Sequence, residues 1–150
     1  MLKGIDSRLN AEVLGALCAM GHGDYLVLVD TNFPADSLAR HSVTGRLLRM
    51  DNLTSAEAAE AILSVLPLDT FVDDFAGRME VVGDPAAVPE VQAEVQAKVD
   101  HAEGRARPLP GVDRFAFYDL AKGAYAVIRT GERRFYGCFM FRKGVIGPEV

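Results

Sequence analysis

The amino-acid sequence predicts one compact α/β domain over residues 1–150, a mixed β-sheet flanked by helices. Three observations lead there. A chain of 150 residues suits one substantial core and leaves little room for two. Helix-spaced apolar stripes alternate along it with short apolar runs of β type. Two such runs follow each other closely near the C-terminus and predict an antiparallel pair.

The first helix is capped by Asn10, with Glu12 favoured by the helix dipole in its first turn. Val13, Leu14, Leu17 and Cys18 form its apolar face, and Gly21 is the expected C-cap, since glycine enters the left-handed region without penalty. Residues 25–29 form an unalternating apolar run, as expected of a strand covered on both faces. Phe33-Pro34-Ala35 opens a loop or short helix. Thr54-Ser55-Ala56-Glu57 reads as a capping box, and Ala58, Ala59, Ile62, Leu63 and Leu66 continue it as a helix ended by Pro67.

A strand is expected over residues 78–82. Asp84-Pro85 then opens a helix bearing Val88, Val91, Val95 and Val99, followed by a surface connection over residues 100–112. Asp113 caps a short helix with Phe117, Leu120 and Ala121 inward and Gly123 as its stop. Strands over 124–128 and 136–141, joined through the turn Thr130-Gly131-Glu132-Arg133, complete the chain.

Composition narrows the function classes. A net charge of -5 argues against a nucleic-acid partner, because phosphate binding draws on clustered Lys and Arg. The short basic clusters Arg105-Ala106-Arg107 and Arg133-Arg134 read as solvated loops. The strongest apolar run, residues 26–29, falls far short of the ~20 residues of a membrane helix. Asp6 stands where a signal peptide would run apolar, so the expected location is cytoplasmic. Cys18 and Cys138 lack the spacing of a disulfide framework or zinc site, and no metal is expected.

The chemistry concentrates around Met20-Gly21-His22-Gly23-Asp24. His22 can close the helix by donating to its last carbonyls, or it can present a titratable ring to a ligand. The glycines follow a helix and open a strand, the reverse of a phosphate-binding loop. Asp30 ends the strand, where α/β sheets place ligands, and can equally form a turn. Asp24 can cap the strand or orient the His22 ring. Arg114 opposes the dipole of its helix, which suggests a ligand or carboxylate partner, although a solvated side chain is the alternative. Tyr136-Gly137-Cys138 fits either sheet packing with a tolerated glycine or a polar-ligand contact.

These pieces stand in order with Asn32-Phe33-Pro34-Ala35, Leu66-Pro67-Leu68-Asp69-Thr70, Arg114-Phe115-Ala116-Phe117-Tyr118, Thr130-Gly131-Glu132 and Lys143-Gly144-Val145. Together they span residues 1–146, and the sequence resembles the D-ribose pyranase / L-fucose mutarotase family, nearest its L-fucose mutarotase branch. The resemblance implies an isomerase that interconverts the α and β anomers of a monosaccharide, L-fucose being favoured, without any cofactor. By position it implies His22 as proton donor and Asp30, Arg114, Tyr136, Gly137 and Cys138 as substrate-binding residues. It also implies a ring-like homo-oligomer, a decamer being one option. Cys138 departs from the asparagine common in the family, and a thiol is the weaker hydrogen-bonding group. The alternatives are pyranose–furanose interconversion of D-ribose and a non-catalytic sugar-binding protein.

Overall fold

The computed structural model describes residues 1–149. Its centre is a six-stranded mixed sheet built from β1 (Tyr25–Val29), β2 (Leu48–Met50), β3 (Ala76–Met79), β4 (Gly111–Val112), β5 (Ala126–Thr130) and β6 (Phe139–Arg142), in the order β2-β5-β1-β6-β3-β4. Helices α1 (Ala11–Ala19), α3 (Ser55–Leu63) and α4 (Glu90–Glu103) supply Val13, Leu17, Ile62, Val95 and Val99 to the core on one face. On the other face, α2 (Ala35–Ala39) and α5 (Arg114–Lys122) supply Leu38, Phe117 and Ala121. Leu26 and Leu28 of β1 point to the first core, and Val27 and Val29 to the second. The strand is therefore covered on both faces, as its unbroken apolar run predicts. Full burial of such side chains contributes about 1.5–3 kcal/mol each.

The mixed sheet arises from a different pairing than the sequence suggests. β5 and β6 do not pair with each other, because β1 lies between them, parallel to β5 and antiparallel to β6. Residues 131–138 carry the chain across the carboxyl end of β1 instead of turning in a hairpin. That crossing matters for the site. From β1 the chain goes first to β2 on one side and later to β3 on the other, so the carboxyl end of β1 is a switch point of the topology.

Local signals held where the cap chemistry was explicit. The Asn10 side chain accepts from Val13 N at 2.9 Å, and the Thr54–Glu57 capping box is complete. Asp113 caps α5 through Phe115 N and Ala116 N. Other boundaries moved. α1 ends at Ala19 with Met20 as its C-cap, and the left-handed glycine is Gly23 (φ 88°), not Gly21. Asp24 Oδ2 accepts from Gly21 N at 2.8 Å, so Asp24 closes this turn and neither caps the strand nor orients His22. Cys18 is exposed: one residue past Leu17, it is turned about 100° around the helix, away from the core.

α4 begins at Glu90 and not at Asp84-Pro85. Val88 precedes a proline, which disfavours helical backbone there, and residues 84–87 form a separate turn. β3 lies earlier than expected, β6 is shorter, and the two edge strands β2 and β4 are too brief to leave a pattern.

Candidate active site

Asp30 directly follows β1 with only 4% of its surface exposed, and its carboxylate is held from four directions. Oδ1 accepts from Asn32 N and Phe33 N, both at 3.0 Å. Oδ2 accepts from Gly137 N at 3.1 Å and from the Cys138 thiol at 3.4 Å. These contacts use roughly the four acceptor positions of a carboxylate. Burial raises the Asp30 pKa above its ordinary value, opposed by the same donors. Burial, and then the Asp30 charge, push the Cys138 thiol well up as well. It is therefore a neutral donor to Asp30 and not a nucleophile.

Around this carboxylate opens a cleft of about 370 Å³, walled by Asn32, Phe33, Met79, Arg114, Tyr118, Phe135, Tyr136 and Cys138. Arg114 is exposed at the start of α5 and donates from Nε to Tyr118 Oη at 2.9 Å. That contact raises the Arg114 pKa further. Its partner is a phenol one helical turn away; among the described residues no carboxylate pairs with it, which leaves the ligand and solvated alternatives of the sequence reading. Phe33 packs edge-on against Phe117 and tilted against Tyr118. Gly137 is buried, and a side chain there would meet Glu132 Cγ at 2.8 Å and Ser55 Oγ at 3.0 Å. Its glycine is thus a requirement of close approach, not a tolerated edge residue.

The structure therefore gathers Asp30, Arg114, Tyr136, Gly137 and Cys138 at one end of the sheet. It does not bring His22 to them. His22 precedes β1, Asp30 follows it, and a strand of this length separates them by roughly 17 Å. The His22 side chain is 48% exposed, and its Nε2 lies 3.1 Å from Oδ2 of the buried Asp69. Asp69 is fixed in turn by donation from Phe71 N to Oδ1 and from Arg107 Nη2 to its carbonyl. The Phe71 ring stands edge-on to the imidazole at 6.0 Å. A histidine oriented by a buried carboxylate on one ring nitrogen is a suitable proton carrier.

Sequence reading gave Asp69 no role, because nothing local ties it to a histidine so far back in the chain. The basic clusters are also less solvated than expected. Arg107 lies 3.6 Å over the Phe75 ring and pairs with Glu103, while Arg134 bridges Glu94 and the buried Glu132.

Fold and cleft together define a small α/β protein whose cleft opens beyond the carboxyl end of a switch-point strand, with a histidine–carboxylate pair at the opposite end. Residues 3–146 match the RbsD / FucU transport protein family, and the chain belongs to it. It is 41% identical over 148 residues to the fucose mutarotase of Homo sapiens, covering 97% of this chain and 94% of that protein. The crystal structure of protein Atu2016 superposes with a TM-score of 0.96 at 59% identity, covering 98% of this chain and 97% of that one. The fucose mutarotase of Streptococcus pneumoniae, solved in complex with L-fucose, superposes with a TM-score of 0.86 at 32% identity, covering 97% and 100%.

Proposed function

We propose that this protein is a cofactor-independent mutarotase that interconverts the α and β anomers of L-fucose. We further propose that it acts as a homo-oligomer in which His22 of one subunit meets the cleft of another. The observation that carries the second part is the position of the two half-sites. His22–Asp69 and the Asp30 cleft stand at opposite ends of β1, too far apart for one monosaccharide to touch both. Two different faces meeting head to tail form a heterologous contact, which closes into a ring when the rotation allows. Exposed aromatics at both ends, Phe71 beside His22 and Phe115 and Phe135 beside the cleft, are surfaces that such a contact would cover.

The chemistry suits these residues. Ring opening needs a proton delivered to the ring oxygen and another removed from the anomeric hydroxyl, after which the C1–oxygen bond breaks to give the open aldehyde. Rotation about C1–C2 and reclosure return both protons and invert C1. No electrons are exchanged. General acid–base catalysis of this kind contributes typically 10²–10⁴-fold. His22, oriented by Asp69, supplies the proton. Arg114 offers several fixed donors to sugar hydroxyls, and the phenols of Tyr118 and Tyr136 line the same cleft. The thiol contact is the longest and weakest of the four to Asp30, and so the one that a sugar hydroxyl replaces. Phe33 and Met79 offer an apolar wall for the methyl group of a 6-deoxy sugar.

Relatives about 40% identical over nearly the whole chain, fucose and L-fucose mutarotases by name, support L-fucose as substrate. Among the described residues no helix is long and apolar enough to cross a membrane, and two free thiols fit the reducing cytoplasm. The test is NMR saturation transfer between the anomers of L-fucose, with D-ribose and D-galactose alongside. Exchange of L-fucose that His22→Ala abolishes without unfolding is the expected result. Binding of sugar with no acceleration of any of the three would leave only a sugar-binding protein.

A further inference from the structure

Along α4, Val91, Val95 and Val99 face the core, and beside them stands a glutamine with no exposed surface at all, Gln92. An amide in that setting is costly unless fully bonded. Gln92 is fully engaged: Nε2 donates to Met79 O at 2.7 Å and to Tyr136 O at 3.0 Å, while Oε1 accepts from Arg78 Nη1 at 3.1 Å. Met79 and Tyr136 are both walls of the cleft, so one side chain ties two of its walls together.

Tyr136 needs such a restraint. Among the described residues it alone, apart from glycines, has positive φ, at 64°. A residue with Cβ holds that conformation only where the surroundings impose it. Its neighbour Gly137 is held by Asp30 Oδ2 on the nitrogen and by Ser55 Oγ on the carbonyl, and the phenol accepts from Val82 N at 3.2 Å. The carbonyl of Tyr136 itself is taken by Gln92.

We propose that Gln92 is a positioning residue for the sugar site: it locks the left-handed backbone of Tyr136 to Met79 and so sets the direction of the phenol and the width of the cleft before sugar binds. The proposal rests on the reading of the cleft as the sugar site. Gln92 touches no substrate. It acts through Tyr136.

The test uses the whole protein with isotope-labelled tyrosine, of which the chain has four. The Cα shift and the HN–Hα coupling of Tyr136 report its φ directly. Gln92→Leu is expected to return Tyr136 to negative φ and to raise the dissociation constant for L-fucose about three- to tenfold, the range of one lost hydrogen bond. Val95→Ala, a core change of the same helix, should lower the melting temperature without moving the Tyr136 signals. Should Gln92→Leu fail to fold, Gln92→Glu carries the same expectations, since it keeps an acceptor for Arg78 and replaces the donor with oxygen. In a Tyr136→Ala background the Gln92 change should cost less affinity than in the native protein, because the phenol it directs is gone. A folded Gln92 variant with unchanged Tyr136 signals, or with unchanged affinity where Tyr136→Ala weakens binding, overturns the proposal. If Tyr136→Ala leaves L-fucose binding intact, the reading of the cleft falls instead, while the Tyr136 signals still decide whether Gln92 sets that backbone.

Discussion

The Asp30 carboxylate accepts the Gly137 backbone N–H at 3.1 Å and thereby ties the end of the central strand to the segment that crosses above it. Together with the Gln92 bonds to Met79 O and Tyr136 O, this tie holds Tyr136 and Cys138 opposite Arg114 and Tyr118. Asp30→Ala should therefore cost stability as well as function. It strands buried N–H groups at about 1–3 kcal/mol each, and the melting temperature should fall by several degrees while L-fucose binding is lost. Calorimetry with and without sugar reads both effects.

Gly137→Ala tests the same junction from the other side. The added methyl would meet Glu132 Cγ at 2.8 Å and Ser55 Oγ at 3.0 Å. Overpacking of this kind costs about 1–3 kcal/mol, and chemical denaturation should show a loss of that size together with weaker sugar binding. An unchanged midpoint would mean that the junction yields more easily than its packing suggests.

The thiol at position 138 should matter less than the carboxylate it faces. The Sγ contact to Asp30 is 3.4 Å long, and sulfur is a weak donor. Cys138→Ala is expected to keep anomer exchange within about threefold, the change that about 0.6 kcal/mol would produce. A much larger loss would assign the thiol a direct contact with sugar.

Glu132 links the site to acid stability. It is nearly buried at the N-terminus of α3, and its bond to Arg134 holds its pKa below the usual glutamate range. Glu94 is lowered by the same guanidinium. A depressed carboxylate pKa contributes stability that is present above the unfolded value of about 4.3 and lost as pH falls through the folded one. Arg134→Met should thus lower stability at pH 7 by about 1–3 kcal/mol, with part of the ion pairing screened by solvent, and by much less at pH 3. Equal losses at the two pH values would contradict the ionic origin.

Much of this was legible in the chain. The covered strand 25–29, the caps at Asn10, Thr54 and Asp113, and the position of Asp30 all follow from local chemistry. The insertion of β1 between β5 and β6 was not legible, because strand neighbours are chosen by packing across the whole sheet and the 131–138 crossing looks like an ordinary turn. Asp69 and Gln92 escaped for a related reason. Each acts on a residue more than 40 positions away, and one of them lies beside an apolar helical stripe. The strand between His22 and Asp30 was legible in the sequence; the resemblance nevertheless grouped both residues in one site, and the extended length of that strand sets them apart within one subunit.

A sugar in the Asp30 cleft of one subunit that receives its proton from His22 of another makes both residues replaceable across an interface. Two variants with different affinity tags, His22→Ala and Asp30→Asn, each inactive alone, would be co-expressed and purified through both tags in turn. Shared sites predict that the mixed oligomer regains L-fucose anomer exchange in saturation-transfer NMR, since some interfaces combine an intact His22 with an intact cleft. A mixed oligomer no more active than either parent would show that His22 and the cleft of different subunits do not share a site.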